Sequence, residues 1–182
     1  DRNITPLVLD ILKEYEVTAA FFVIGSQVMG NPKLIRRMDS EGHIIGGHSF
    51  SHLFFFDLLS SNKMKKELAL TRDMIMQVTG KRARFFRPPY GVTNPALARA
   101  VRGLGLQSIG WSLKSRDTVI DDMDLLASRL KKKVKPGDVI LFHDTRGVLP
   151  GVLSQFIPYL HESGFKIIRP DLLLKIEPYE HY

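Results

Sequence analysis

The 182 residues contain no cysteine, which excludes a disulfide framework, a thiolate metal site and a Cys nucleophile. The redox compartment stays open. No apolar run approaches the roughly 18 residues needed to cross a bilayer, so no membrane span is expected. No signal peptide opens the chain either; Asp1-Arg2-Asn3-Ile4-Thr5-Pro6 starts without Met and reads as the middle of a longer polypeptide. Internal repeats and low-complexity segments are missing as well. So is any interleaving of aromatic and basic residues of the kind that binds single-stranded nucleic acid.

What is present suits one domain over residues 1–182: 44% of the residues are hydrophobic and 25% charged, enough to bury a proper core. The formal charge of +7 would attract a polyanion. Its densest run, Lys131-Lys132-Lys133 with Lys135, falls at the end of a predicted helix, where cations complement the dipole and stay in water. No nucleic-acid partner is therefore expected.

Periodicity gives an alternation of helices and strands. Thr5 as cap and Pro6 at the first position start a helix to about Tyr15. A continuous apolar run over 17–24 has the character of a parallel strand covered on both faces. Helix 31–40, strand 43–45 and helix 61–78, closed by Gly80, follow. Strand 84–86 stops at Pro88-Pro89, since two prolines cannot continue a ladder. Helices 95–102, 123–132 and 149–162 then alternate with strands 106–111, 138–142 and 165–168. About six strands with helices between them predict an α/β fold on a parallel sheet. In a closed barrel of such units the chemistry lies on loops leaving the strand C-termini. Those positions hold His48 and His52, Arg87 and Tyr90, Trp111 with Asp117, and His143 with Asp144.

His48 and His52 stand four apart, so one helical turn would put both imidazoles on one side. Neutral imidazole suits Zn, Co, Ni or Fe, and a two-histidine site needs a further ligand, usually a carboxylate, with an open position for water. Alone, an H-x-x-x-H in a loop is more often a pair of solvated or capping groups. Its company along the chain favours the metal.

That company resembles the polysaccharide deacetylase family, the NodB homology domain or carbohydrate esterase family 4. His48-Ser-Phe-Ser-His52, Arg87-Pro-Pro-Tyr-Gly91, Trp111-Ser-Leu-Lys-Ser-Arg-Asp117 and Leu141-Phe-His143 are similar to four of the family's five motifs, in order. Thr5-Pro6 and the 20–25 run match the flanking helix and strand. The first motif, Thr-Phe-Asp-Asp-Gly, which supplies a catalytic base and the third metal ligand, is not within residues 1–182. The resemblance implies a distorted (β/α) barrel lacking its first strand in this chain, and poor catalysis by these residues alone. It implies a metal, zinc or else Co, Ni or Fe, on His48 and His52. His143 is implied as general acid, with Asp117 orienting it in competition with Arg116 or Asp144. Arg87 is implied to pair with a motif aspartate, and the Tyr90 N–H to receive the oxyanion. Pro89, Trp111 and Leu141 fall on the substrate side, although an aromatic and a leucine at strand ends are by themselves more often core. Gly47, where the family commonly has Asn, and Lys114 depart from the pattern. His43 reads as structural; His161 and His181 have no functional context. The activity implied is removal of N-acetyl groups from an N-acetylglucosamine-containing polysaccharide such as chitin or peptidoglycan. The alternatives are a non-catalytic carbohydrate binder or an O-acetyl esterase on xylan-like polymers. The expected location is extracellular, periplasmic or at the cell envelope; oligomeric state is not read.

Overall fold

A computed structural model of the chain describes residues 1–180. In order, its elements begin with helix α1 (Ile4–Glu14), strand β1 (Ala20–Val23), helices α2 (Gly25–Val28) and α3 (Pro32–Ser40), strand β2 (Ile44–Gly47) and helix α4 (Ser61–Thr79). Strand β3 (Phe85–Phe86), helix α5 (Pro95–Arg102) and strands β4 (Gln107–Ser108) and β5 (Leu113–Lys114) follow. Helix α6 (Met123–Lys133), strand β6 (Ile140–Leu141) and helices α7 (Val148–Glu162) and α8 (Pro170–Leu174) complete the order. Short 3₁₀ turns occupy Phe56–Leu58 and Pro89–Gly91. All ladder pairs among the named strands are parallel. No helix among the described residues is long and apolar enough to cross a membrane.

The chain divides into two compact units. One comprises Ala20–Gly110 and the chain from Leu174 on; its sheet runs β1-β2-β3-β4. β2 is buried along its length, whereas β1, at the sheet edge, is half-buried throughout. Glycine is required in β2: a Cβ on Gly46 would lie 2.8 Å from the Phe22 ring and 2.9 Å from the Phe85 carbonyl. Phe56, Met64, Leu68, Phe86 and Leu97 form the core between α4, α5 and the sheet. Local chemistry sets the helix ends. Ser60 Oγ accepts the Lys63 N–H (3.4 Å) and Gly80 leaves α4 at φ +71°; Asn94 Oδ1 accepts the Leu97 N–H (2.9 Å) ahead of Pro95.

The other unit comprises Asp1–Ala19 and Trp111–Leu173, with β5 pairing β6. Leu126, Leu130, Val152, Phe156 and Leu160 fill the space between α6 and α7. Asp122 caps α6, and Lys131, Lys132 and Lys133 occupy its last turn, where the dipole favours them.

Three sequence expectations change here. Thr5 does not cap α1. It lies inside the first turn, fully buried, and its hydroxyl donates to Asp144; the Asp1 carboxylate takes the N–H groups of Asn3 and Ile4 instead. The run 106–111 is not one strand: only Gln107–Ser108 pairs with β3, and the next ladder, β5, belongs to the other unit. The 165–168 run forms no strand. Phe165 and Ile167 do pack on the core of their unit, but alternating burial makes a strand only where a neighbouring backbone completes the ladder.

Candidate active-site residues

The histidine pair lies directly after β2, on a loop whose backbone is unusual. His48, Ser49 and Phe50 do not make the helical turn that the four-residue spacing suggests. Ser49 and His52 both have positive φ, 58° and 50°, a conformation that costs a non-glycine residue roughly 1–2 kcal/mol. The two left-handed residues bring the rings together by another route, with centroids 4.9 Å apart and planes tilted by 51°. Strain of this kind persists only where surroundings over-determine it, and they do. The His48 N–H reaches the Val23 carbonyl (2.8 Å), and the Ser49 and Phe50 carbonyls accept from Gly25 and Ser26 (both 3.0 Å). Ser49, fully buried, takes the His52 N–H on Oγ at 3.1 Å.

One residue that sequence reasoning missed completes this loop. Glu67 Oε2, on α4, accepts the Phe50 N–H (3.0 Å), the Ser51 N–H (2.8 Å) and the Ser51 hydroxyl (2.8 Å). Nothing in a helical Glu marks it from the residues that merely face water. Removing three bonds to one carboxylate oxygen should cost about 2 kcal/mol and let the strained loop relax. Glu67→Ala is expected to lower thermal stability by that amount and to weaken any zinc uptake by the histidine pair about 10- to 100-fold, the loss that follows when a group orienting a candidate ligand is removed. Glu67→Gln, which keeps one acceptor, should fall between. Calorimetry and zinc titration of the two variants check this; unaltered zinc affinity in Glu67→Ala would refute the positioning role.

His48 is held in one tautomer. Its Nδ1 lies 2.7 Å from the Arg87 carbonyl oxygen, which only accepts, so Nδ1 carries the proton and the lone pair sits on Nε2. A backbone carbonyl on the second ring nitrogen is the usual orienting contact of a metal-ligating histidine. A pair of imidazoles is a donor set that fits a borderline divalent cation. Among the described residues no cluster of three His, Asp or Glu side chains gathers around them.

Arg87 follows β3, and its side chain fixes the sheet end. Nε and Nη2 donate to the carbonyls of Ile109 and Gly110 (both 3.1 Å), and the guanidinium lies 4.1 Å from the centre of the Phe22 ring. Burial brings its pKa down to about 10, still charged at neutral pH. Beyond it, Pro88 and Pro89 turn the chain so that Tyr90 takes φ 56°. The turn's own bonds run from the Gly91 and Val92 N–H groups to Pro88 and Pro89; neither uses the Tyr90 N–H. The Tyr90 ring lies 5.2 Å from that of His52. Pro89 is buried and shapes this turn.

In the other unit, His143 follows β6 and is gripped by Asp117. The Asp117 carboxylate is wholly buried; Oδ1 meets His143 Nδ1 at 2.9 Å and Oδ2 accepts the His143 N–H at 2.5 Å. Arg116, at φ 72°, turns the chain to aim Asp117 inward. Neither Arg116 nor Asp144 takes that contact; the Asp144 carboxylate accepts the Thr5 hydroxyl. The imidazole, 37% exposed, thus carries its proton on Nδ1 and presents Nε2 outward. Leu141 is 6% exposed at the end of β6, Trp111 half-buried ahead of β5.

His43 is 3% exposed and meets the Phe21 ring edge-on at 5.2 Å, a structural residue. Burial outweighs the nearby Glu41 and pushes its pKa below the ordinary 6.5. As the pH falls through 6.5 the unfolded chain binds a proton that the folded state resists, so stability drops on acidification below that value. Melting temperature should fall between about pH 7.5 and 5, and less steeply in His43→Phe; equal slopes would exclude His43 as the cause. His161 is exposed on α7, and His181 lies outside the described residues.

Gly47 ends β2, where a Cβ would press on Thr71 Cγ2 at 3.2 Å, so the departure from Asn follows the packing of α4. Lys114 is exposed on β5.

These residues sit in a chain with clear relatives. Residues 1–109 match the polysaccharide deacetylase family. A peptidoglycan-N-acetylglucosamine deacetylase of Bacillus cereus is 31% identical over 100% of this chain and 85% of its own. A chitooligosaccharide deacetylase of Sinorhizobium fredii is 32% identical over 90% of this chain and 82% of its own. Among solved structures, the peptidoglycan deacetylase PdaC of Bacillus subtilis superposes with a TM-score of 0.89 at 28% identity, covering 96% of this chain and 85% of that one. The α/β fold is theirs, and the chain belongs to the polysaccharide deacetylase family.

Proposed function

We propose that this protein removes N-acetyl groups from N-acetylglucosamine residues of a peptidoglycan- or chitin-like polymer with the help of a divalent metal, zinc foremost. The observation that carries the reading is the histidine pair, with His48 in its metal-binding tautomer beside His52. The relatives' activities supply the substrate class.

His48 and His52 would hold the metal; family likeness gives the third position to an aspartate of a motif that residues 1–182 do not contain. A divalent metal held there would supply polarisation of the acetamide carbonyl and would bring the pKa of water towards about 7. The remaining work falls to side chains and backbone. The Tyr90 N–H, left out of its turn's own bonds, donates to the oxygen that becomes anionic, a contact worth about 3 kcal/mol. By family likeness His143 is the acid: its Nε2 would take up a proton from solvent and pass it to the leaving amine nitrogen, while the proton lost by the attacking water would go to the aspartate base of the motif that residues 1–182 do not contain. Asp117 holds Nδ1–H throughout and stabilises the imidazolium between gain and loss of that proton. A peptidoglycan substrate lies outside the cytoplasmic membrane, which fits work at the envelope.

The test is zinc titration with acetate release from N-acetylglucosamine oligomers, using protein that carries the aspartate motif ahead of residue 1. Stoichiometric zinc with acetate release is the expected result. Glycan bound without acetate marks a non-catalytic binder, acetate from O-acetylated xylan alone marks an esterase, and either outcome sinks the reading.

A further inference from the structure

Of residues 54–58, three are large apolar side chains left in water: Phe54 is 70% exposed, Phe55 63% and Leu58 75%. Exposed apolar side chains scattered singly are ordinary, but several gathered on one short segment mark a contact surface. The segment carrying them is pinned from within. Phe56, between them, is 2% exposed in the core with Met64, Leu68 and Phe86; residues 56–58 form a 3₁₀ turn; and Asn94 Nδ2 donates to the Asp57 carbonyl at 2.7 Å. The outward rings are therefore held in place by buried ones.

They are also ordered with respect to the histidines. Phe55 meets Phe54 edge-on at 4.8 Å, Phe54 meets Tyr90 at 5.7 Å, and Tyr90 meets His52 at 5.2 Å. An unbroken file of four rings runs from a proposed metal ligand out to the surface, all within the unit built on β1 to β4.

We propose that Phe54, Phe55 and Tyr90 form a stacking platform for the sugar rings next to the one being deacetylated. A pyranose carries an apolar C–H face with hydroxyls at its rim. An exposed aromatic ring matches that face while leaving the hydroxyls in water, and costs little side-chain entropy to hold. Continuity with His52 selects a glycan over a lipid surface or a protein: whatever is held at the histidine pair has its neighbouring units beside this file. The inference rests on the deacetylase reading and adds a preference for chain length.

The test measures affinity for N-acetylglucosamine oligomers of increasing length in zinc-loaded protein carrying the aspartate motif. Wild-type affinity should rise with length. In Phe54→Ala/Phe55→Ala it should be about tenfold weaker for the long oligomers, with the rise flattened. Phe54→Trp, which keeps a ring, should retain it. Both phenylalanines are exposed, so an unchanged melting temperature separates lost contact from lost fold. Acetate release by the wild type combined with equal affinities in the double variant overturns the platform alone. Absence of both acetate release and oligomer binding overturns the platform and the deacetylase reading together. Binding that the double variant loses, without acetate release from wild type, supports the platform and overturns the activity. Loss of binding to phosphatidylglycerol vesicles in the double variant, with glycan affinity intact, identifies a lipid-facing surface and overturns the proposal.

Discussion

His143→Ala should lower acetate release about 10²- to 10⁴-fold, the range a positioned proton donor contributes, with KM for the glycan little changed. Asp117→Asn should approach the same loss by another route. Asp117 is fully buried and accepts twice, from Nδ1–H and from the backbone N–H of the same histidine. An amide at that position has one accepting oxygen and one donating nitrogen. One of the two His143 donors must then face an N–H, and the ring escapes by moving its proton to Nε2. In that tautomer it meets the substrate with the proton fixed outward and no carboxylate to stabilise the charged form. The buried mismatch also costs about 1–3 kcal/mol of stability. A wild-type rate in His143→Ala would rule out its role as proton donor, whatever the contact with Asp117.

That Asp117 and not Arg116 or Asp144 holds His143 was open in the sequence, because all three stand within reach on residue spacing alone. It is decided by backbone: the left-handed Arg116 turns Asp117 inward, and Asp144 is engaged by a threonine 139 residues away in the chain. Helices were legible where the period was sustained, as over 61–78 with Gly80 at its end and over 95–102, whereas the short helices Gly25–Val28 and Pro170–Leu174 were not. Strands were less so, because a strand is a relation between segments. The 165–168 run has the right composition and no ladder, while Leu113–Lys114, with one apolar residue, pairs with β6. The histidine motif announced its chemistry through residue type, but the helical turn imagined to join the rings was wrong. Two left-handed residues do that work, and the groups that hold them, Glu67 and the Gly25 and Ser26 amides, are remote or carry no side-chain signal.

The two histidines proposed to hold the metal differ in what they do for the fold, and this separates zinc uptake from stability. Removing either imidazole leaves a single nitrogen donor from this loop, so His48→Gly and His52→Gly should each weaken zinc binding by more than about 100-fold, beyond the cost of losing an orienting partner. Their metal-free proteins should diverge. His48 Nδ1–H donates to the Arg87 carbonyl; its loss removes a bond worth about 1 kcal/mol and leaves that half-buried carbonyl without the ring. Glycine there also raises the entropy of the unfolded chain. His52 stands at φ 50°, where glycine relieves about 1–2 kcal/mol of backbone strain, offsetting the same entropy. Calorimetry in chelator should therefore show His48→Gly melting below the wild type and His52→Gly at or above it, while zinc titration shows both deficient. Strain stored at His52 is then the cost of placing its ring against that of His48. If metal-free His52→Gly melts as low as His48→Gly, the positive φ is not where that cost lies.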